Sequence, residues 1–521
     1  MQKNISIKLL PSEAADEKII KNYSAAEAGV PVSSVTGFII LKKSIDARSK
    51  KTSINLSLQI FIDEPPINRE LISFHFPDVS NAVKSIIIIG AGPAGLFAAL
   101  QLISLGIKPI ILERGKEVKE RRRDLALLNK EGEINPESNY CFGEGGAGTY
   151  SDGKLYTRSA KRGDVKRILH LFYHFGAPET ILYESHPHIG TNKLPQIITA
   201  IRKKILGCGG EILFNTKATD LILKDEKIVA VKINDGPLIH GDAFILATGH
   251  SARDIFKLLH SKKIVIESKP FALGVRVEHP QSLIDSVQYH CPDRGPYLPP
   301  ASYSLAQQIN GKGVFSFCMC PGGIIAPAAT DHGEIVVNGW SPSKRNNPYA
   351  NSGIVVEVGE KDFWHLNKYG PLAGMHFQQE VEKKAFQSGG GKMVAPAMRL
   401  VDFANDITSS SLPHCSYLPG VQSAPLREVL PPFIYKNIQL GLKEFGKKIR
   451  GYFTNDAIIV ATESRTSSPV RIPRDAESLQ HPQIKNLYPC GEGAGYAGGI
   501  VSAAMDGERV SKMIAVNSQD V

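Results

Sequence analysis

The spacing of hydrophobic residues predicts a small α+β unit at the start of the chain. Strand patterns occur at Ile5–Leu10, Gly37–Lys42 and Ile54–Ile62, and a helical pattern runs from about Ala14 to Ala28. These elements lie within residues 1–80, where no chemically suggestive motif is present. We therefore expect a small α+β domain here, and the sequence assigns it no chemistry.

From residue 84 onward the pattern changes to alternating strands and helices, which is typical of βαβ units. After about residue 265 the sequence becomes rich in proline and glycine, and strand patterns return at Ala457–Ala461 and Asn486–Pro489 before a closing helix from about Ile500. The prediction is an α/β fold with one Rossmann-like domain built from discontinuous segments. The expected division is 1–80 for the amino-terminal α+β domain, 84–264 and 451–521 for the two parts of the Rossmann-like domain, and 265–450 for an inserted cap or substrate domain.

One uncharged run needs an explanation, because the 23 residues of Ser85–Ile107 are long enough to span a membrane. The run begins with four isoleucines and continues with a glycine cluster and a helical pattern. A short isoleucine strand buried on both faces is what a parallel sheet requires. The sequence therefore predicts a strand, a turn and a helix here, and no membrane span.

The strongest motif is Gly90–Gly95, with the sequence GAGPAG, directly after the strand pattern Ile86–Ile89 and directly before a helix from about Leu96. In such a turn the first glycine allows the tight bend, the second lets a pyrophosphate approach the backbone, and the third lets helix and strand pack closely. Glu113 ends the next strand pattern, where a carboxylate can accept hydrogen bonds from a ribose. The motif predicts a dinucleotide site; the alternative is a glycine-rich turn without a ligand.

A second glycine-rich loop, Cys490–Ile500, indicates which dinucleotide is bound. It follows a strand pattern and precedes a helix, and it carries Glu492 and the amides of Gly498, Gly499 and Ile500. A ribityl chain needs a hydrogen-bond acceptor, and an isoalloxazine ring that becomes negative on reduction favours a helix N-terminus. The loop therefore favours FAD, against the alternative of a flexible glycine loop.

Two more segments have the small residues that allow close approach to a cofactor, Asn139–Leu155 and Phe244–His250. With these motifs the chain resembles the glutathione-reductase and fumarate-reductase class of flavoproteins. More closely, FGEGGAGTYSDGKL, HPHIGTNKL, FCMCPGG and PCGEGAGYAGGIVSAAMDG resemble a bacterial family of uncharacterised FAD-dependent dehydrogenases, over most of residues 84–521. The resemblance implies non-covalent FAD and an oxidoreductase acting on a small organic molecule, without naming that substrate.

The resemblance also implies which residues bind the cofactor. Gly90, Gly92, Pro93 and Ala94 would hold the pyrophosphate, and Glu113 and Arg114 the adenosine half. Ala218 would offer its backbone to the adenine, while Thr248 and Gly249 would close the pocket. The remaining residues of the set would lie along the diphosphate and the flavin: Gly145, Gly146, Ser151, Asp152, Gly491, Glu492, Gly498, Gly499 and Ile500.

Candidates for catalysis are fewer. His250 follows the flavin turn and can titrate near neutral pH, although a structural histidine is the favoured interpretation. Cys318 and Cys320 could carry thiol redox chemistry, but C-x-C is not the C-x-x-C of many redox proteins, and buried cysteine commonly behaves as a small hydrophobe. His186 and His188 lack the additional ligands of a zinc site, so no metal is predicted.

Composition and charge add a few constraints. The net charge of +10 and the pI near 9.0 are compatible with a flavin-containing nucleic-acid-binding or tRNA-modifying protein. Acidic residues are interspersed with the basic ones, however, and the basic run Lys116–Arg123 is interpreted as a solvated helix face. The alternative is that one of its arginines reaches the FAD phosphates or an anionic substrate. Nucleic acid is therefore not the favoured partner.

Cysteine usage and the start of the chain bear on the location of the protein, and the number of GxGxxG motifs bears on its electron donor. Seven cysteines fit no disulfide framework, and the first residues have no apolar signal region, so we expect a cytoplasmic protein. Only one GxGxxG motif, Gly90–Gly95, directly follows a strand pattern and opens a helix, and it is assigned to the flavin cofactor. An NAD(P)H donor would therefore lack a dedicated domain and would dock in the same cleft as the substrate.

Overall fold

The computed structural model describes residues 1–157 and 163–517. Its amino-terminal unit is a three-stranded antiparallel sheet, with the last strand in the middle, packed against one helix. The helix begins after Asp16, whose side chain accepts hydrogen bonds from the amides of Lys18 and Ile19. The predicted helix and strands are present as β1 (Gln2–Leu9), α1 (Glu17–Ala28), β2 (Val35–Asp46) and β3 (Ser53–Ile62).

The second segment alternates strands and helices, as the hydrophobic pattern predicts. Its elements are β4 (Ser85–Ile89), α2 (Pro93–Ser104), β5 (Lys108–Leu112), α3 (Val118–Glu131), α4 (Val165–His174), α5 (Leu194–Gly207), β6 (Glu211–Leu213), β7 (Ala218–Lys224), β8 (Lys227–Ile233), β9 (Leu238–Ile239), β10 (Ala243–Leu246) and α6 (Arg253–Ser261).

The remainder of the chain contains a strand-rich middle and a short closing unit. The middle comprises β11 (Glu267–Ser268), β12 (Phe271–Pro280), α7 (Gln281–Tyr289), β13 (Ala306–Ile309), β14 (Lys312–Cys320), β15 (Ile324–Pro327), β16 (Val337–Trp340), β17 (Tyr349–Val358), α8 (Ala373–Ser388), β18 (Ala395–Arg399), α9 (Leu400–Ala404), β19 (Val421–Ser423), α10 (Pro432–Lys448), β20 (Ile458–Glu463) and β21 (Val470–Arg471). The closing unit is β22 (Leu487–Pro489) and α11 (Ile500–Asn517).

A five-stranded parallel sheet forms the centre of the Rossmann-like domain, in the order β22–β10–β4–β5–β6. The isoleucines of β4 are buried between the neighbouring strands, which explains their continuous apolar run. Helix α11 packs closely on α2, since Gly507 lies against the carbonyl oxygen of Ala94. Because β22 and α11 come from the end of the chain, the predicted α/β fold with discontinuous segments is confirmed.

The middle segment is built on a seven-stranded mixed sheet, ordered β13–β14–β17–β12–β20–β18–β19. Its central strand β12 is buried almost throughout and pairs antiparallel with both β17 and β20. Strand β20 begins at Ile458, so this sheet extends past residue 450, where the sequence places the end of the cap. Strand β20 pairs with β12 and β18, which lie far away in sequence. A local hydrophobic pattern therefore does not show to which sheet β20 belongs.

The uncharged run Ser85–Ile107 forms β4 and α2, as predicted. Within residues 1–157 and 163–517, no helix is both long enough and apolar enough to cross a membrane.

Candidate functional site

A cleft opens at the carboxyl ends of the parallel strands, the edge at which open α/β sheets bind ligands. The turns that follow β4, β5 and β10 line it, together with the loop after β22 and residues of the middle sheet. The structure places most of the predicted residues along this one cleft: Gly90, Gly92, Pro93, Ala94, Glu113, Arg114, Gly146, Ser151, Asp152, Ala218, Thr248, Gly249, His250, Cys318, Glu492, Gly498, Gly499 and Ile500.

Three predicted residues are not part of the cleft wall. Gly145 lies behind the turn, where its amide donates to the carbonyl oxygen of Ala91 at 2.8 Å. Gly491 is held by α11, since its amide donates to the carboxylate of Asp506 at 2.8 Å. Cys320 is buried beside Cys318, which itself faces the cleft.

The glycines of the GAGPAG turn have different local requirements. Gly90 has a φ of +109°, which favours glycine, and a Cβ at Gly95 would overlap the carbonyl oxygen of Gly90. Gly92 instead faces open space, because the nearest atom to a Cβ there would be the Cα of Gly146 at 4.0 Å. Gly92 is also the N-cap of α2, so the helix N-terminus and this space together form a cradle suited to a diphosphate.

Glu113 holds the loops of the cradle together. Its buried carboxylate accepts hydrogen bonds from the amides of Ala91, Gly115 and Gly143, at 2.8, 2.9 and 2.9 Å. The sequence predicts a ribose contact for this residue, and Glu113 does line the cleft, but its hydrogen bonds within the protein are to backbone. The sequence did not indicate that Glu113 joins the two loops, because Gly143 lies 30 residues away along the chain.

Arg114 lines the cleft and is held by three neighbouring side chains. Its guanidinium lies over the ring of Phe142, at 4.2 Å from the centroid, and forms ion pairs with Glu137 at 2.6 Å and Asp254 at 2.9 Å. Ala218, the first residue of β7, lines the same cleft. The guanidinium is thus fixed in orientation by two carboxylates and an aromatic ring.

The interpretation of Lys116–Arg123 as a solvated helix face is wrong for Arg121. This side chain is fully buried, and burial lowers the pKa of its guanidinium. The guanidinium donates to carbonyl oxygens of the glycine-rich loop at 2.8 to 3.0 Å, namely those of Asn139, Tyr140, Glu144 and Gly146. The pattern of charges along a helix does not reveal these hydrogen bonds, because their acceptors are carbonyl oxygens of a loop outside the helix.

Asp152 also lines the cleft, where it lies between two cations. Burial alone would raise the pKa of its carboxyl group, but Lys154 and Arg345 outweigh burial and hold the pKa at about 2. The carboxylate is 3.3 Å from Lys154 Nζ and 2.7 Å from a terminal nitrogen of Arg345. Asp152 is therefore ionised across the physiological range and positions Lys154 at the cleft.

His250 is paired with Glu492 within the cleft. The distance from His250 Nδ1 to a Glu492 carboxylate oxygen is 3.4 Å, and both side chains are partly exposed. This arrangement joins the turn after β10 to the loop before α11. A histidine at this place can accept or deliver a proton, provided that a substrate comes within hydrogen-bonding distance.

The two cysteines meet a cationic environment that their sequence context does not show. Lys154 Nζ lies 3.7 Å from the sulfur of Cys318 and 3.8 Å from that of Cys320. Arg276, on β12, donates to the carbonyl oxygen of Cys318 at 2.6 Å. The prediction that these thiols serve only as small buried residues remains untested.

Neither histidine of the HPHIG segment has the surroundings of a metal ligand. His188 contacts the carbonyl oxygen of Ser343 at 3.1 Å, and burial, with Arg345 nearby, lowers its pKa to about 4. His186 packs on the ring of Tyr156. In the part of the chain that the structure describes, no group of three or more His, Cys, Asp or Glu side chains is arranged to hold a metal ion.

Sequence reasoning missed a buried ion network at the cleft wall. Arg465 lines the cleft and pairs with Glu334 at 2.8 Å and Glu382 at 3.1 Å. Arg253 reaches the same two carboxylates at 3.2 and 2.8 Å. These residues come from four separate parts of the chain, so no local motif could have indicated the network.

Comparisons with known proteins agree with this site. Residues 270–466 match the family described as FAD-dependent protein, C-terminal domain-like; residues 83–127 match an FAD binding domain, and residues 1–61 a domain of unknown function. An uncharacterised protein of Clostridium beijerinckii is 42% identical over 494 residues, which cover 91% of each chain. The chain therefore belongs to the same family of FAD-dependent proteins, and FAD is its cofactor.

More distant similarities are weaker. A thiamine thiazole synthase of Aeropyrum pernix is 22% identical over 207 residues, covering 37% of this chain and 64% of that protein. Among solved structures, a geranylgeranyl bacteriochlorophyll reductase-like protein of Thermoplasma acidophilum is 12% identical, over 84% of this chain and 79% of that one, with a TM-score of 0.35. A TM-score this low supports no argument about the present chain.

Proposed function

We propose that this protein is a cytoplasmic FAD-dependent oxidoreductase that passes hydride or electrons between a small organic molecule and non-covalently bound FAD. The observation that carries the proposal is the single cleft that combines a diphosphate cradle at Gly92 with the glycine-rich N-terminus of α11 and a set of titratable side chains. When bound, FAD would supply two-electron redox chemistry at its isoalloxazine ring.

The chain's own residues would hold the cofactor at three places. The turn at Gly92 and Pro93 would receive the diphosphate, and Arg114 with Ala218 would flank the adenosine half. At the other end, Gly499 and Ile500 would present amides from the start of α11, where a helix N-terminus stabilises negative charge. Residues of the middle sheet, among them Phe317, lie across the cleft from these loops and would exclude water.

The reacting end of the cleft contains groups that can move a proton or bind an anion. His250 is oriented by Glu492 and would exchange a proton with the substrate. Lys154 and Arg465 line the same cleft as cations. Their charges favour a substrate that carries a carboxylate or another anionic group.

The first test is the cofactor content of the purified protein. We expect a yellow protein whose flavin is released on denaturation and has the mass of FAD, because the cleft has contacts for both the adenosine and the flavin ends. A protein that contains FMN, or no flavin after reconstitution, would contradict the proposal.

The electron donor gives a second test. The described residues form one parallel sheet that has a dinucleotide cradle, and they form no second sheet of this kind. NADH or NADPH would therefore enter the substrate end of the cleft without a dedicated site for its adenosine half. In anaerobic stopped-flow mixing, we expect slow flavin reduction that does not saturate at low micromolar nicotinamide.

Dithionite reduction of the same sample is the control for a competent flavin. Fast reduction with tight, saturable nicotinamide binding would refute this one-cleft arrangement. It would show that the middle segment contains a nucleotide site.

A further inference from the structure

Two thiols share one ammonium group at the wall of the flavin cleft. The sulfurs of Cys318 and Cys320 lie 3.7 and 3.8 Å from Lys154 Nζ, so both are in direct contact with the same charge. Cys318 lines the cleft and is partly exposed to it, whereas Cys320 is buried behind it. Tyr156, whose side chain is exposed to solvent, lines the same cleft.

The charged groups around the two thiols form two ion pairs. Lys154 is paired with Asp152, and the same carboxylate also pairs with Arg345. Arg276 is paired with Glu463 at 2.8 Å and also lies 3.7 Å from the sulfur of Cys320. Each cation therefore reaches a sulfur while its position is held by a carboxylate.

The backbone at Cys318 is unusual for a strand. Its φ of +46° lies in the left-handed region, which a residue with a Cβ rarely occupies. The pairing of β14 with β17 shifts register between Phe317 and Cys320, at this same place. Strained backbone of this kind is maintained by its surroundings and is frequent at functional sites.

The two thiols differ in their acidity. The hydrogen bond from the Cys320 thiol lowers the pKa of Cys318, and Lys154 and Arg276 lower it further against the effect of burial. The same hydrogen bond, together with burial, raises the pKa of Cys320. One sulfur is thus favoured as a thiolate while its neighbour keeps its proton, which is the division required of an attacking and a resolving thiol.

We propose that Cys318 and Cys320 form a redox-active dithiol in the flavin cleft, with Cys318 as the nucleophile, Cys320 as the resolving thiol and a small organic disulfide as the oxidised substrate. The Cys318 thiolate attacks one substrate sulfur, the substrate S–S bond breaks, and a thiolate leaves. Cys320 then attacks the Cys318 sulfur of this mixed disulfide, gives its proton to solvent, and expels the second thiolate. The substrate gains the two electrons that the dithiol loses.

The first experiment measures thiolate formation at Cys318 in the FAD-loaded protein. After anaerobic reduction, alkylation by iodoacetamide is followed by peptide mass between about pH 5.5 and 9, a range that brackets the free-thiol pKa of about 8.5. The thiolate is lost as pH falls through the pKa, so we expect the rate at Cys318 to drop only well below that value. Cys415, whose pKa is raised by burial, is the internal control and should react slowly throughout.

Variants of Lys154 separate an electrostatic role from a structural one. Lys154→Met should move the midpoint at Cys318 toward that of a free thiol and slow its alkylation about tenfold near neutral pH. Lys154→Arg keeps the charge and should restore most of the rate. A midpoint that does not respond to Lys154→Met, or a Cys318 that stays unreactive at every pH, would overturn the proposal.

The second experiment traps the exchange itself, with dithiodipropionate as the disulfide probe, because its two carboxylates suit the cations of the cleft. The unmodified protein should yield a Cys318–Cys320 disulfide without adduct, and should afterwards take up two electrons beyond those of FAD in an anaerobic dithionite titration. Cys320→Ser should retain a mixed disulfide on Cys318, and Cys318→Ser should retain none on Cys320. An adduct on Cys320 in Cys318→Ser, or no reaction in the unmodified protein, would refute the assigned roles.

This inference deepens the proposed function by naming a substrate class, and it depends on that function. The two can fail separately. A protein without FAD would contradict the proposed function, whereas a yellow protein with an inert Cys318 would contradict the dithiol alone.

Discussion

Replacing Gly92 by valine is expected to abolish FAD binding without unfolding the protein. A Cβ at this position would lie 4.0 Å from the Cα of Gly146, which is ordinary contact distance, and the backbone of Gly92 has a φ of −74°, which valine adopts readily. The valine methyl groups would instead occupy the space at the N-terminus of α2 where we propose that the diphosphate binds. We expect FAD to bind at least about 100-fold more weakly, which corresponds to roughly 2.8 kcal/mol.

The measurement is the flavin content of the purified variant, followed by titration of the apoprotein with FAD. Gly207→Val is the matched control, because Gly207 is exposed at the end of α5, has no atom within 4 Å of its Cβ position and is absent from the cleft wall. The control should retain FAD. If Gly92→Val also retained FAD, the diphosphate would have to bind elsewhere.

Replacing Arg121 by methionine should destabilise the glycine-rich loop and release FAD. The guanidinium is buried and donates to four backbone carbonyl oxygens of that loop, and methionine fills a comparable space with no donor. Carbonyl groups left without partners each cost roughly 1 to 3 kcal/mol. We expect a loss of about 3 to 5 kcal/mol, near the upper end of single-residue effects.

Urea titration followed by flavin fluorescence and circular dichroism measures this effect, with flavin release expected to precede loss of helix. Arg123→Met is the control, since Arg123 is exposed on the same helix. It should shift the urea midpoint little. Equal midpoints for the two variants would show that the buried guanidinium does not support the loop.

The amino-acid sequence alone determined the features that depend on neighbours along the chain. The four isoleucines, the GAGPAG turn and the following helix form one continuous stretch, so local geometry predicts β4, the cradle and α2 together. The glycine loop before α11 likewise indicated a flavin from its own residues. The two loops could be assigned to one cofactor because parallel strands present their carboxyl ends at a common edge.

Only the tertiary structure decided the roles that depend on distant partners. Arg121 lies in a charged helical run, yet the loop that follows this helix folds back and surrounds its guanidinium. Cys318 and Lys154 are 164 residues apart, and nothing in either local sequence indicates that they touch. Long-range packing sets burial and charge proximity, and these two quantities determine whether an arginine is solvated and whether a thiol ionises.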